Sequence, residues 1–192
     1  MRAVIVRAER QKKEVNALVK YIKDLDGTEV VVIPAIDVTE KYPDRNNYSF
    51  HQAAKKMKGE AFFWLEPDSI PLRAGWLHAI EREYMFCCKE FMLSSDKNPP
   101  FDMIGGIGVY GKRTHEIIPK NIGGELYGHG WDMWVYRNAS NMVKWSPLIQ
   151  HSYGIYNKDG IAYPHRFPRD LPILRKDALV FHRDKHQDLI YE

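Results

Sequence analysis

Apolar residues along the first half of this chain change between two spacings, and the changes mark its elements. Residues 3–6, Ala-Val-Ile-Val, form an unbroken apolar run, as expected of a strand buried on both faces. After Arg7-Ala-Glu-Arg10, Val15, Leu18, Val19 and Ile22 recur at helical intervals with lysines opposite, and Gly27 closes the helix. Glu29 to Ile33 reads as a second, β-branched strand stopped by Pro34, with Asp37 just past it. A strand, a helix and a parallel strand make a right-handed crossover, so Arg7, Arg10 and Asp37 should gather on one rim. Solvated-loop and turn roles remain open for all three.

A polar loop around Tyr42 to Asn47 precedes a second amphipathic helix with Phe50, Ala53, Ala54 and Met57 on one stripe, ended by Gly59. Lys55, Lys56 and Lys58 suit the negative end of its dipole better than a nucleic-acid patch. Then comes Ala-Phe-Phe-Trp-Leu-Glu-Pro-Asp-Ser-Ile-Pro, residues 61–71. Its first half fits a central buried strand. Proline cannot continue a central ladder, so Glu66 and Asp68 are left at the strand's carboxyl end, where open α/β sheets bind ligands. Asp68 as a simple turn or cap residue is the competing reading.

From Ala74 to about Phe91 a long stripe of Leu77, Ile80, Tyr84, Cys87, Cys88 and Phe91 predicts a third helix. The polar loop from Ser94 to Pro100 then divides the chain into halves of about 1–98 and 99–192. Beyond it, short strands are expected at 102–104 and 107–110, a glycine-rich stretch at 122–130, a short helix over 131–137 and one or two strands in 143–153. A proline-punctuated loop over 160–175 leads to a last strand at 178–181, which runs into His182-Arg-Asp-Lys185-His186.

At 192 residues, with 44% hydrophobic and 28% charged, the chain can bury a full core as one domain. No apolar run approaches the length that spans a bilayer, and a cytoplasmic protein is expected. The only cysteines, Cys87 and Cys88, are adjacent and fit buried packing residues in a reducing compartment. A net charge of +3 permits an anionic ligand or a nucleic acid without demanding either.

Gly106-Ile-Gly108-Val-Tyr-Gly111 matches the dinucleotide glycine pattern, yet residues 112–119 carry no apolar helical face, so nicotinamide binding is not expected. His182 and His186 are four apart, but no cysteine or third histidine stands near in sequence to complete a zinc site. Position is more informative. His182 ends the final apolar strand as Asp68 ends the central one, so an imidazole and a carboxylate could converge on one cation if both strands share a sheet. Lys185 could then reach phosphates held by that cation.

These segments together resemble nucleotide-sugar-dependent glycosyltransferases of the GT-A fold. The likeness rests on the arginine-containing first loop, the strand leading to Asp37, the rim of Glu66-Pro67-Asp68, the 105–110 strand, the acidic helix start at 130–134 and His182-Arg-Asp-Lys185. It implies a single α/β domain built on a mixed, Rossmann-like sheet flanked by helices, with a nucleoside-diphosphate sugar as donor and Mn2+ or Mg2+ as cofactor. Asp68 and His182 would bind the metal, Lys185 the diphosphate, Arg7, Arg10 and Asp37 the nucleotide, and Asp132 would face the acceptor as catalytic base. Glu66 stands where the family carries aspartate, so its longer arm reaches the metal, the ribose or a bridging water. Asp132 as a mere helix cap stays open.

The motifs say less about the acceptor. The chain is similar to small bacteriophage-encoded transferases, which implies a hydroxymethylated base in phage DNA as one acceptor. The basic, aromatic loop at 163–169, with Arg175 and Lys176, suits phosphates and a displaced base, and equally suits a lid over the donor. Two other classes compete: a nucleotidyltransferase of related architecture, and a non-catalytic nucleic-acid-binding domain with structural carboxylates. Whether a hexose or a pentose is moved, and how many chains assemble, is not written in the sequence.

Overall fold

The computed structural model describes residues 1–35, 44–94, 106–119, 130–151 and 176–182. Strand β1 (Arg2–Arg7) is buried from Ala3 to Val6 and passes through a short 3-10 turn into α1 (Lys12–Asp26). Val15, Leu18 and Ile22 form the buried face of α1. Gly27 ends it at φ 77°, a left-handed conformation that costs glycine little, and its N–H reaches the Lys23 carbonyl at 2.8 Å. Strand β2 (Val30–Pro34) then pairs in parallel with β1, from Ala3 opposite Val30 to Arg7 opposite Pro34. Helix α2 (Asp44–Lys56) leads back to β3 (Phe62–Leu65), parallel to β1 on its other side and buried throughout. Helix α2 starts at Asp44, so most of the expected 42–47 loop is its first turn.

After β3 the chain turns through Glu66–Asp68 into a short strand, β4 (Ser69–Pro71), that the apolar pattern does not announce. Helix α3 (Trp76–Cys87) follows, with Trp76 and Ile80 buried. It is shorter than its apolar stripe predicts. Cys88 takes φ 51°, and Phe91 opens a new strand, β5 (Phe91–Ser94), in place of the last helical turn. The expected burial of the cysteines also fails, because the inward stripe of α3 ends before them: Cys87 is half-buried and Cys88 exposed.

Strand β6 (Gly108–Tyr110) lies antiparallel between β3 and β5. Two short helices, α4 (Thr114–Ile117) and α5 (Trp131–Asn138), precede β7 (Val143–Ser146), which is parallel to β5. The main sheet therefore runs β2-β1-β3-β6-β5-β7. Its hydrogen bonding crosses the division expected near residue 98, since β6 from the second half joins β3 to β5 of the first.

Strands β8 (Ile149–His151) and β9 (Val180–His182) form a second sheet in the order β4-β9-β8. So β9 does not share a sheet with β3, and the convergence of His182 and Asp68 does not come about by the shared sheet on which the sequence reading made it conditional. Strand β9 meets the acidic rim through β4, where Ser69 pairs antiparallel with His182. Pro71 is tolerated because β4 is an edge strand.

The core carries an aromatic cluster. Phe50 of α2 stacks on Trp131 of α5 with centroids 4.6 Å apart and meets Tyr110 edge-on at 4.7 Å. Among the described residues no helix is long and apolar enough to cross a membrane. The 102–104 strand, the 122–129 part of the glycine-rich stretch and the loop over 160–175 lie outside the described residues.

Candidate active site

A cavity of about 440 Å³ opens at the carboxyl ends of β1, β2 and β3. Ala8 and Arg10 wall it after β1, Ala35 after β2, and Glu66 and Asp68 after β3, and Trp131 also lines it. Parallel strands put it there: each ends its buried run at the same edge, and the chain leaves into polar residues that need not be covered.

The Glu66–Asp68 turn is braced locally. The Ser69 N–H donates to the Glu66 carbonyl at 2.9 Å, and the Glu66 N–H donates to Ser69 Oγ at 3.1 Å. The pairing of β4 with β9 then carries His182 to the carboxylates. His182 Nε2 lies 3.1 Å from Asp68 Oδ1 and 3.4 Å from Glu66 Oε2. One donor atom from each of the three lies within 4.8 Å of the others. Side-chain exposures of 22% for Glu66, 13% for Asp68 and 10% for His182 leave the cluster reachable but largely dehydrated.

This electrostatic setting favours a cation. Burial alone would push the His182 imidazolium down, but the Asp68 and Glu66 carboxylates outweigh it and its pKa is pushed up to about 10. Without a metal, a protonated ring therefore satisfies the carboxylates. Two carboxylates and an imidazole are a donor set that suits a divalent cation, and the close approach of their ligand atoms fits one ion.

Helix α5 brings Asp132 into the same field. Burial pushes its carboxyl up to about 7; the Met133 N–H that it accepts at 2.9 Å opposes the rise, the Glu66 charge adds to it and His182 counters it. The helix start is held from two directions. The Trp131 N–H donates to Asn47 Oδ1 at 2.9 Å, and Trp131 Nε1–H donates to the Tyr110 hydroxyl at 3.0 Å, which itself donates to the Gly106 carbonyl at 2.5 Å. Gly106 is needed for closeness: a methyl there would stand 2.6 Å from the Trp131 ring and 3.1 Å from Glu66 Oε1.

The residues expected from sequence thus separate. Glu66, Asp68 and His182 come together, Asp132 lies in their electrostatic reach and Arg10 is on the cavity wall. Arg7 points elsewhere, to Asn16 Oδ1 at 3.3 Å, and is not part of that wall. Asp37, Lys185 and His186 lie outside the described residues, as does the 163–169 loop. Sequence reasoning missed Asn47, Trp131 and His151. Only Trp131 carries a visible signal, as the aromatic beside the acidic helix start. Gly106 enters the sequence reading through the dinucleotide pattern alone, which says nothing of its closeness to Trp131.

No protein-family model matches the chain, and no curated protein is similar to it in sequence. Solved structures do match. A glycosyltransferase involved in the glycosylation of the major capsid of PBCV-1 aligns over 95% of this chain and 93% of its own, with TM-score 0.57 at 15% identity. The galactosyltransferase LgtC, in complex with donor and acceptor sugar analogs, aligns over 95% of this chain and 87% of its own, with TM-score 0.57 at 8% identity. An active-site mutant of LgtC gives TM-score 0.59 at the same identity and coverage. The mixed sheet with its reversed β6, flanked by helices, is the GT-A fold of these glycosyltransferases.

Proposed function

We propose that this protein is a divalent-cation-dependent glycosyltransferase that moves a sugar from a nucleoside-diphosphate sugar to an acceptor hydroxyl. The observation that carries the reading is the convergence of Glu66, Asp68 and His182, from segments more than a hundred residues apart, beside a cavity at the sheet's ligand-binding edge.

Asp68 and His182 would hold the ion, with Glu66 as the third donor or as a partner of the ribose. When bound, such an ion supplies Lewis-acid neutralisation of the charge that develops on the departing diphosphate. Arg10 on the cavity wall offers a guanidinium to the nucleotide, and we assign phosphate contacts to Lys185 and nucleotide contacts to Asp37 and the Arg7 loop on the resemblance alone. In the transfer the anomeric carbon's bond to the diphosphate oxygen breaks, its bond to the acceptor oxygen forms, and the acceptor's proton passes to the Asp132 carboxylate. A carboxylic acid whose pKa is about 7 suits that role, because it is a competent base near neutral pH. A single displacement with Asp132 as the base would invert the anomeric centre.

For the acceptor we retain the hydroxymethylated base of phage DNA, supported by the basic composition of residues 163–169. Binding to such DNA should weaken between low and moderate salt if those residues meet phosphates.

The test is a panel of nucleoside diphosphates and triphosphates, each with and without Mn2+, read by thermal unfolding. A nucleoside diphosphate should raise the Tm only when metal is present, by the equivalent of about 2.7 kcal/mol at a hundredfold excess over Kd. Preference for a triphosphate would move the assignment to nucleotidyl transfer. Absence of any response, with DNA binding kept in chelator, would overturn the enzyme reading.

A further inference from the structure

We propose that His151 is a positioning residue that selects the tautomer of His182 able to bind a cation and so sets the cation affinity of the site. The inference rests on the cation-dependent reading above. His151 ends β8 and His182 ends β9; the two are paired across these parallel strands and both are buried. Their rings stand nearly perpendicular, at 86° with centroids 4.7 Å apart, and Nδ1 of one lies 2.8 Å from Nδ1 of the other. At that distance one nitrogen donates and the other accepts.

Only one assignment leaves His182 competent. Its Nε2 faces Asp68 and Glu66, so Nε2 must present a lone pair if the ring is to join them on an ion. A neutral imidazole carries a single N–H, which must then be on Nδ1. The Nδ1–H of His182 has the His151 Nδ1 lone pair in hydrogen-bond range, and His151 accordingly carries its own proton on Nε2. In the opposite assignment His151 donates, His182 keeps its proton on Nε2, and that proton blocks the ion's place. A metal-bound histidine is usually fixed by a carboxylate or a carbonyl at its other nitrogen; here a second imidazole does it. Strand pairing supplies the precision, because the β8–β9 register sets both rings on the same face of the small sheet.

Three substitutions separate this role from simple packing. The Asn side chain places an amide oxygen near the position of an imidazole Nδ1, the Gln side chain reaches nearer to Nε2, and Leu offers no acceptor. Binding of manganese chloride alone, followed as loss of the free Mn2+ signal in electron paramagnetic resonance, should weaken about 10- to 100-fold in His151→Leu and His151→Gln and recover largely in His151→Asn. Metal-free unfolding temperatures, measured alongside, identify any general loss of folding. Long-range proton–nitrogen spectra of the Mg2+-loaded protein supply a second readout: His182 should carry its proton on Nδ1 in the parent and in His151→Asn. Equal manganese affinity in the parent, His151→Leu and His151→Gln would overturn the positioning role while leaving the metal site standing. A parent that binds no manganese would overturn the cation-dependent reading and this inference with it.

Discussion

The two sheets formed by the described residues divide the labour of the molecule. The central strands of the large sheet, β1 and β3, are filled with apolar residues from Ala3 to Val6 and from Phe62 to Leu65, and the helices pack on them. The small sheet is made of three-residue strands, yet Ser69, Gln150, His151 and His182 are all buried in it. Buried polar groups are costly unless partnered, so a short sheet that gathers them is organised for chemistry more than for stability. The large sheet sets where the cavity opens; the small one delivers the imidazole that turns an acidic rim into a donor set for a cation.

Paired substitutions should expose this division most strongly. Phe50→Ala removes a fully buried ring from the stack on Trp131 and should cost about 3–5 kcal/mol of stability, equally with and without Mn2+. Asp68→Ala should act instead on the metal response, abolishing the Mn2+-dependent stabilisation by a nucleoside diphosphate; without metal it also breaks the His182 ion pair and lowers the Tm, but leaves the chain folded. Denaturant and thermal melts on the two variants would break the comparison if Asp68→Ala unfolds the chain or keeps metal-linked nucleotide binding.

Next in size is the proposed base. Asp132→Asn should lower kcat by roughly two to four powers of ten with donor binding kept. The pH profile gives the sign. In the proposed role Asp132 works as the carboxylate, and its pKa is pushed up to about 7, so the rate should rise with pH through the neutral range and level off above it. A bound cation stabilises the carboxylate and shifts this limb to lower pH. A parent rate that does not rise with pH anywhere between about 4 and 8 would remove Asp132 from the role.

Gly106→Ala sharpens the boundary between the two regions, because one added methyl would press on both the Trp131 ring and the Glu66 carboxylate. Overpacking of this kind costs about 1–3 kcal/mol. Since Glu66 belongs to the cluster proposed to hold the cation, Mn2+ affinity should fall with stability, by about tenfold. Titration of Mn2+ alongside a melt would show whether both drop together.

The parts legible in the sequence were those fixed by local period or burial. Val15, Leu18 and Ile22 announced α1, and the run from Phe62 to Leu65 announced a strand ending at the acidic rim. Strand β5 was hidden because Phe91 continues the apolar spacing of α3, and the reversal between them is made by Cys88, a residue with no turn signature. At the site, the ends of the apolar runs located Asp68 just past one strand and His182 at the end of another. What joins them is the register of Ser69 against His182, a pairing across more than a hundred residues with no local trace. Arg7 stands at the end of β1 as the apolar run implied, but its side chain meets Asn16 on α1 and is not on the cavity wall, a direction the sequence does not record.

The smallest expected effect concerns a joint of the frame remote from the cation. Asp26, the last residue of α1, accepts the Gly75 N–H at 2.8 Å ahead of α3 and the Thr28 N–H at 3.0 Å. Burial acts to raise its carboxyl pKa, but the hydrogen bonds from Thr28 and Gly75 prevail and hold it below the ordinary value. A carboxyl with a lowered folded pKa contributes stability that is present above its unfolded value, near 3.8, and is lost as pH falls through the folded value. Asp26→Ala should therefore cost about 0.5–1.5 kcal/mol at neutral pH, the usual contribution of a hydrogen bond, and the difference from the parent should shrink in acid. Because the residue is exposed, solvent screening keeps the effect at the lower end. The Mn2+ response of this variant should match the parent's; a change there would mean that the α1–α3 joint and the site are coupled, and the separation of frame from chemistry would fail.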